Sequence, residues 1–123
     1  MSESFSVMAR VRSFKAAGQG LRVLLKEEHN ARVHLVATVL VIAAGLALEA
    51  GRDDWIVLVL VITLVWVCEA INTAIENLSD KVSPEQDPLI AKAKDVACLA
   101  VVLASLCALI CGALVFIPLL REW

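Results

Sequence analysis

The chain has 123 residues, of which 60% are hydrophobic, and its 11 basic and 13 acidic side chains give a net charge of −2. A mean hydropathy of +0.82 is too high for a soluble domain of this length, and the length allows one compact domain, residues 1–123. The balance of charges argues against an electrostatic nucleic-acid binder, so we expect no nucleic-acid partner.

The N-terminal part predicts an amphipathic helix over about residues 5–28. Apolar side chains recur there at helical spacing beside a basic face, which is typical of a helix lying on a membrane surface. The apolar set is Phe14, Ala17, Leu21, Leu24 and Leu25, and the basic set is Arg10, Arg12, Lys15, Arg22 and Lys26.

Three further segments predict membrane-spanning helices, over about residues 31–49, 54–78 and 93–120. Within the first, Val33 to Leu48 is apolar apart from His34 and Thr38. Within the third, Val96 to Leu120 carries no charge for 25 residues, enough to cross a hydrocarbon core of about 30 Å. A polar stretch over residues 79–87, with Pro84, joins the last two. The expected fold is an all-α membrane protein.

The basic residues predict the orientation of these helices. With three crossings, nine of the 11 Lys and Arg side chains fall on the N-terminal side and only Arg52 and Arg121 on the other. Cytoplasmic segments are enriched in Lys and Arg. We therefore expect a multi-pass protein of the cytoplasmic (inner) membrane with a cytoplasmic N-terminus.

An acidic stripe ends the second of these helices. At 100° per residue, Glu76 and Asp80 each lie about 20° from Glu69 around the helix, and Asn72 lies about 60° away. A buried carboxylate costs several kcal/mol unless it is paired, protonated or bound to a cation. The stripe is therefore expected to face protein, water or metal rather than lipid.

More polar groups are predicted at the same membrane boundary. They are Glu28, Asn30, Arg32 and His34, then the loop acids Glu85 and Asp87, and then Lys94 and Asp95. Carboxylates from two segments, such as Glu28 and Glu76, suit Mg²⁺ that bridges nucleotide phosphates. Lys94 would neutralise a transferring phosphoryl group. Glu69, about 10 Å deeper than Glu76, would serve as general base for a lipid hydroxyl.

Each of these residues also has a purely structural interpretation. Asp80 and Glu85 equally fit solvated end-groups, and Glu28 fits a helix-end charge. Arg32 fits an anchor that reaches the interface, and His34 fits a packed interface residue. Glu69 and Asn72 resist this interpretation best, because they lie furthest from the expected interface.

The residues Glu69-Ala-Ile-Asn-Thr-Ala-Ile-Glu-Asn-Leu-Ser-Asp80 and Ala93-Lys94-Asp95 resemble the signatures of the small integral-membrane prokaryotic diacylglycerol kinases. Glu28-x-Asn-x-Arg-x-His34 resembles the version found in the undecaprenol kinase branch. The resemblance extends from about Phe14 to Val115.

This resemblance implies a homotrimeric bundle with composite active sites, in which Mg²⁺ assists transfer of the ATP γ-phosphoryl group to a lipid alcohol. Glu69 would be the catalytic base, Asn72 a group that orients the substrate or the base, and Glu28 and Glu76 the metal carboxylates. Lys94 and Asp95 would contact ATP, with Glu28, Glu76, Asp80 and Glu85 nearby. Arg10 or Arg12 would contact phosphate, and Arg32 and His34 would join Glu69 and Asn72 at the lipid substrate. Asp87 departs from the family pattern where relatives contact adenine.

Two other functions remain open. A small cation- or proton-coupled transporter subunit would use the intramembrane carboxylates to carry the ion, although the acids cluster at one face. A structural oligomer or regulator would bind neither nucleotide nor metal. For the kinase, the acceptor is either diacylglycerol or undecaprenol, which would feed phospholipid or cell-envelope lipid-carrier metabolism respectively.

Overall fold

A computed structural model describes residues 4–83, 85 and 87–123. It contains four helices, α1 (Val7–Glu27), α2 (His29–Ala47), α3 (Arg52–Val82) and α4 (Pro88–Arg121), and no strand occurs in the described ranges. The last three, of 19, 31 and 34 residues, are long and apolar enough to cross a membrane. The predicted all-α membrane protein is therefore confirmed, and the chain is a multi-pass membrane protein.

The break between α1 and α2 is a single residue, Glu28, whose backbone is extended with φ −106° and ψ 117°. The guanidinium group of Arg32 lies across this break. It donates to the carbonyl oxygen of Leu25 at 2.9 Å and to that of Lys26. These carbonyls belong to the last turn of α1, where no intrahelical donor remains, so Arg32 caps the end of α1 from the first turn of α2.

A tight turn joins α2 to α3. The Ala50 N–H bonds the carbonyl of Gly45 at 2.9 Å and the Glu49 N–H bonds that of Leu46 at 3.3 Å, as in a Schellman motif. Glu49 occupies the left-handed position with φ 56°, which glycine usually takes. The Asp54 carboxylate then accepts from the Gly51 N–H at 3.2 Å and caps the start of α3.

Two helix ends differ from the predicted ones at the junction of α3 and α4. α3 continues to Val82 rather than 78, and α4 begins at Pro88 rather than 93. The Asp87 carboxylate accepts from the Leu89 N–H at 2.8 Å, and a proline at the first helical position needs no donor. α4 therefore starts as soon as Asp87 caps it. The predicted loop residue Pro84 lies outside the described residues.

α3 is the central helix and packs mainly against α4 and secondarily against α2. Its buried side chains include Leu58, Val61 and Val65, and the buried residues of α4 include the small side chains Ala97 and Ala104. At the α2–α3 turn, Gly45 lies directly against Trp55. Most large apolar side chains on the outer faces are exposed in the single chain, as expected of helices surrounded by lipid or by other subunits.

Candidate functional site

The centre of the candidate site is Glu69, whose side chain is completely buried (0% exposed) in the middle of α3. Thirteen residues separate it from the C-terminal end of α3 at Val82, or about 20 Å along the helix axis. Within the described chain, neither carboxylate oxygen has a hydrogen-bond partner. The Nε2 atom of His34 lies 3.4 Å from Oε2. A buried carboxylate with this little compensation is expensive, which favours a role for it beyond folding.

Two more buried polar residues follow Glu69 on α3. Asn72 is 6% exposed and Thr73 is 5% exposed. The Asn72 Nδ2 atom donates to Glu76 Oε1 at 3.4 Å, so the amide links Glu76 to the region of Glu69. Asn72 Oδ1 and Thr73 Oγ1 lack partners among the described residues. Unpaired buried polar atoms are rare in folded proteins, and a bound polar group would satisfy these.

Glu28, at the α1–α2 break, belongs to the same electrostatic environment. Burial raises the pKa of its carboxyl, and the negative charges of Glu76, Glu69 and Glu27 raise it further, in that order. Carboxylates from the α1–α2 break and from α3 are therefore close enough to influence one another. Like charges held together disfavour ionisation, and a cation between them would remove that cost.

This donor set fits Mg²⁺. In the ranges that the structure describes, no three His, Cys, Asp or Glu side chains form a group that could hold a metal ion on its own. Mg²⁺ in nucleotide sites is usually bound by one or two carboxylates, with waters and substrate phosphates completing its shell. Glu28 and Glu76 supply that number, and their mutual repulsion is what a divalent ion would relieve.

Further along α3, a polar cavity of about 510 Å³ opens at the junction with α4. The Lys94 ammonium group lies 2.5 Å from Asp80 Oδ1, and the cavity is also lined by Glu85, Asp87 and Asp95. Its volume is within the range of small-molecule sites. Lys94 therefore lies on the cavity wall, paired with Asp80. Because Asp80 is exposed, a phosphate group could take its place beside Lys94.

A larger and mainly apolar groove of about 690 Å³ lies between α1 and α3. Gly20 and Leu24 line it from α1, and Trp66 and Thr73 line it from α3. The groove therefore runs past the residues around Glu69, and an apolar chain of a membrane lipid fits its character.

Sequence patterns missed Thr73, although its position one turn after Glu69 was a signal that could have identified it.

Two predicted contacts, those of Arg32 and Arg10, stay predictions. The guanidinium of Arg32 is engaged with the end of α1, as described above, so its substrate contact stays a prediction that the geometry does not favour. Arg10 is exposed on α1, and its phosphate contact also stays a prediction. Asp87, where the sequence departs from the family pattern at the adenine contact, is the N-cap of α4.

The chain is similar to several proteins of known name. The model of the family described as "Prokaryotic diacylglycerol kinase" matches residues 15–116. The chain is 33% identical over 107 residues to an undecaprenol kinase of Bacillus subtilis (strain 168), with 87% of each chain covered. It is 35% identical over 107 residues to a diacylglycerol kinase of Synechocystis sp., covering 86% of this chain and 61% of the relative.

A diacylglycerol kinase of Escherichia coli (strain K12) is 32% identical over 102 residues, covering 80% of this chain and 84% of the relative. The matched region contains α2, α3, the polar cavity and nearly all of α4. The chain therefore belongs to the prokaryotic diacylglycerol kinase family, and it is a membrane lipid kinase.

Proposed function

We propose that the chain transfers the γ-phosphoryl group of ATP to the hydroxyl group of a membrane lipid, either diacylglycerol or undecaprenol, at the cytoplasmic face of the inner membrane. The observation that carries this proposal is the buried Glu69 carboxylate, which has no hydrogen-bond partner among the described residues and lies deeper along α3 than the polar cavity of about 510 Å³. A lipid hydroxyl reaches that depth from the bilayer, whereas ATP approaches from water.

In the proposed reaction, Glu69 removes the proton of the lipid hydroxyl. The hydroxyl oxygen attacks the γ-phosphorus, and the bond from that phosphorus to the bridging oxygen of ADP breaks. Asn72, linked to Glu76, holds its free Oδ1 near the reacting groups. Lys94 exchanges Asp80 for phosphate oxygens and neutralises the charge that they carry.

Mg²⁺ fits this site, and Glu28 and Glu76 are the residues that would hold it. When bound, the ion would neutralise phosphate charge and assist in-line transfer. The chain's own contribution is to collect the carboxylates at the α1–α2 break and on α3.

The distribution of Lys and Arg supports the orientation in this proposal, since nine of the 11 lie on the N-terminal side of the three crossings. An alkaline phosphatase reporter is active only outside the cytoplasm. We expect it to be active when fused after Trp123 and inactive when fused at Glu85. The reverse pattern would place the polar cavity on the wrong side for ATP.

We also propose a homotrimer with sites shared between neighbouring subunits. The many exposed apolar side chains of α2 and α4 and the open polar cavity support an assembly that covers more of each chain. Native mass spectrometry from detergent micelles should give three copies per particle, and a monomer with full activity would contradict this assembly.

The deciding experiment is transfer of label from γ-³²P-ATP by the purified full chain in mixed micelles. Diacylglycerol and undecaprenol are supplied in parallel, with and without EDTA. We expect labelled lipid from at least one acceptor and no labelled lipid in EDTA. The acceptor that gains more label is the preferred substrate. Asn30 and His34 favour undecaprenol, in line with the resemblance to that branch. Absence of label in both lipids would refute the proposed function.

A further inference from the structure

The packing of α2 against α3 brings an imidazole to the buried carboxylate. His34 Nε2 lies 3.4 Å from Glu69 Oε2, and the two side chains are 17% and 0% exposed. Nε2 makes no hydrogen bond within the described residues, so the Glu69 carboxylate is available to it as a partner. The distance is longer than an ordinary hydrogen bond, but catalytic hydrogen bonds often shorten only when substrate is bound.

A second set of contacts surrounds His34. The Thr38 hydroxyl donates to the His34 carbonyl oxygen at 2.6 Å and accepts from the Trp66 Nε1–H at 3.0 Å. The Trp66 ring stands edge-on to the imidazole, with ring centroids 6.4 Å apart and an interplanar angle of 64°. Trp66 lies one turn before Glu69 on α3. His34 is thus held by the same helix whose carboxylate it faces.

The remaining surroundings of His34 are uncharged. The two cavities that it lines, of about 240 and 260 Å³, are bordered on α2 by Asn30 and Thr38 and on α4 by Ser105 and apolar residues. Among the described residues lining these cavities, none other than His34 is ionisable. Among these surroundings of His34 on the neighbouring helices, Glu69 is therefore the charged group next to the imidazole.

We infer that His34 is a positioning residue for Glu69 rather than the substrate contact expected from the sequence. The imidazole Nε2–H donates to Oε2, which fixes the carboxylate and leaves Oε1 to remove the proton of the lipid hydroxyl. The imidazole keeps its own proton throughout. This inference rests on the proposed function, because it assigns a partner to the base of that reaction.

The kinetic test compares His34→Ala, His34→Gln and His29→Ala in the full chain. His34→Ala should lower kcat by about 10- to 100-fold, a part of what a general base contributes, with the KM values for ATP and lipid little changed. His34→Gln, which retains an N–H donor, should restore most of kcat. His29, exposed at the start of α2, is the matched control and should give wild-type kinetics.

Two kinetic results would overturn the inference. One is an unchanged kcat in His34→Ala. The other is a raised KM for the lipid with kcat retained, which is the signature of a substrate contact. If the wild-type chain transfers no phosphoryl group to either lipid, the proposed function fails and this role fails with it. If the wild type is active and His34→Ala is unaffected, only the positioning role fails.

A spectroscopic test does not depend on activity or on the folding of His34→Ala. The chain has only 2 histidines, so ¹⁵N-histidine labelling gives two imidazoles, which His29→Ala assigns. We expect a protonated Nε2 on His34 and a shift of its resonance in Glu69→Gln, while the His29 resonances stay in place. A His34 resonance whose chemical shift is the same in Glu69→Gln as in the wild type would show that the two groups do not interact.

Discussion

Substitution of Glu69 by Gln removes the proposed base and changes almost nothing else in shape. Gln has the same side-chain volume and keeps two polar atoms at the site, but it cannot take a proton from a lipid hydroxyl. A positioned general base contributes about 10² to 10⁴-fold to a rate. We therefore expect kcat for phosphoryl transfer to fall by that factor, while the KM for ATP stays near its wild-type value because the polar cavity lies further along α3.

The same substitution should stabilise the fold. The Glu69 carboxylate is 0% exposed and makes no hydrogen bond of ordinary geometry within the described residues, since His34 Nε2 lies 3.4 Å from Oε2. An unsatisfied buried polar group costs about 1–3 kcal/mol and a charged one costs more, so the neutral amide should increase the free energy of unfolding by about 1 kcal/mol or more. For a chain of this size, the melting temperature would rise by roughly 3 °C or more.

The assay pairs labelled-ATP transfer with a thermal melt of the same detergent-solubilised preparation. Glu122→Gln is the matched control, since Glu122 is exposed at the end of α4, and it should change neither quantity. Loss of activity together with a higher melting temperature is the expected signature of a destabilising catalytic carboxylate. Activity within a few-fold of wild type would refute the assignment, and a lower melting temperature would refute the argument from burial.

Three further changes test the geometry elsewhere. The pKa of Glu28 is raised from its ordinary value of 4.5 by burial and then by Glu76, so the folded state binds this proton more tightly than the unfolded state. In EDTA, the free energy of unfolding should therefore fall as pH rises from about 4.5 through the raised pKa. Glu28→Gln has no carboxyl to titrate, so its thermal melts should show a smaller fall over the same pH range. Gly45→Ala places a Cβ 2.7 Å from Trp55 and should lower the free energy of unfolding by about 1–3 kcal/mol, a loss that Trp55→Leu should partly rescue in thermal melts. Glu49→Gly removes the side chain from a position with a positive φ of 56° and should raise the free energy of unfolding by about 1 kcal/mol. An unchanged melting temperature would contradict the left-handed conformation at this turn.

Much of the architecture follows from the order of residues alone. Hydrocarbon requires a long uncharged helix with its backbone bonds satisfied internally, so the apolar runs determine that α2, α3 and α4 exist. Helical periodicity likewise places Glu69, Asn72 and Glu76 on neighbouring faces of α3. These are local properties, which depend on residues within a few turns of one another.

Helix ends and turn conformations were less predictable because several residues compete for each role. Asp87 looked like a loop acid, yet its carboxylate caps α4 and moves the helix start to Pro88. Glu49 takes a left-handed conformation although Gly51 lies two residues away. In both cases the backbone hydrogen bonds at a helix end decide the outcome, and several neighbouring residues are compatible with them.

Contacts between helices were decided by the tertiary structure. Sequence patterns predicted Arg32 and His34 at the lipid substrate, and these contacts stay predictions. Only the structure shows that the Arg32 guanidinium bonds the end of α1 and that His34 lies 3.4 Å from Glu69. The angle at Glu28 and the close approach of Gly45 to Trp55 set how α2 lies against α3. Which side chains meet depends on how each helix is rotated about its axis and how far it is shifted along its neighbour. Local periodicity in the sequence does not determine either quantity. The sequence thus determined the helices and the chemistry available to them, and the packing of those helices determined which groups act together.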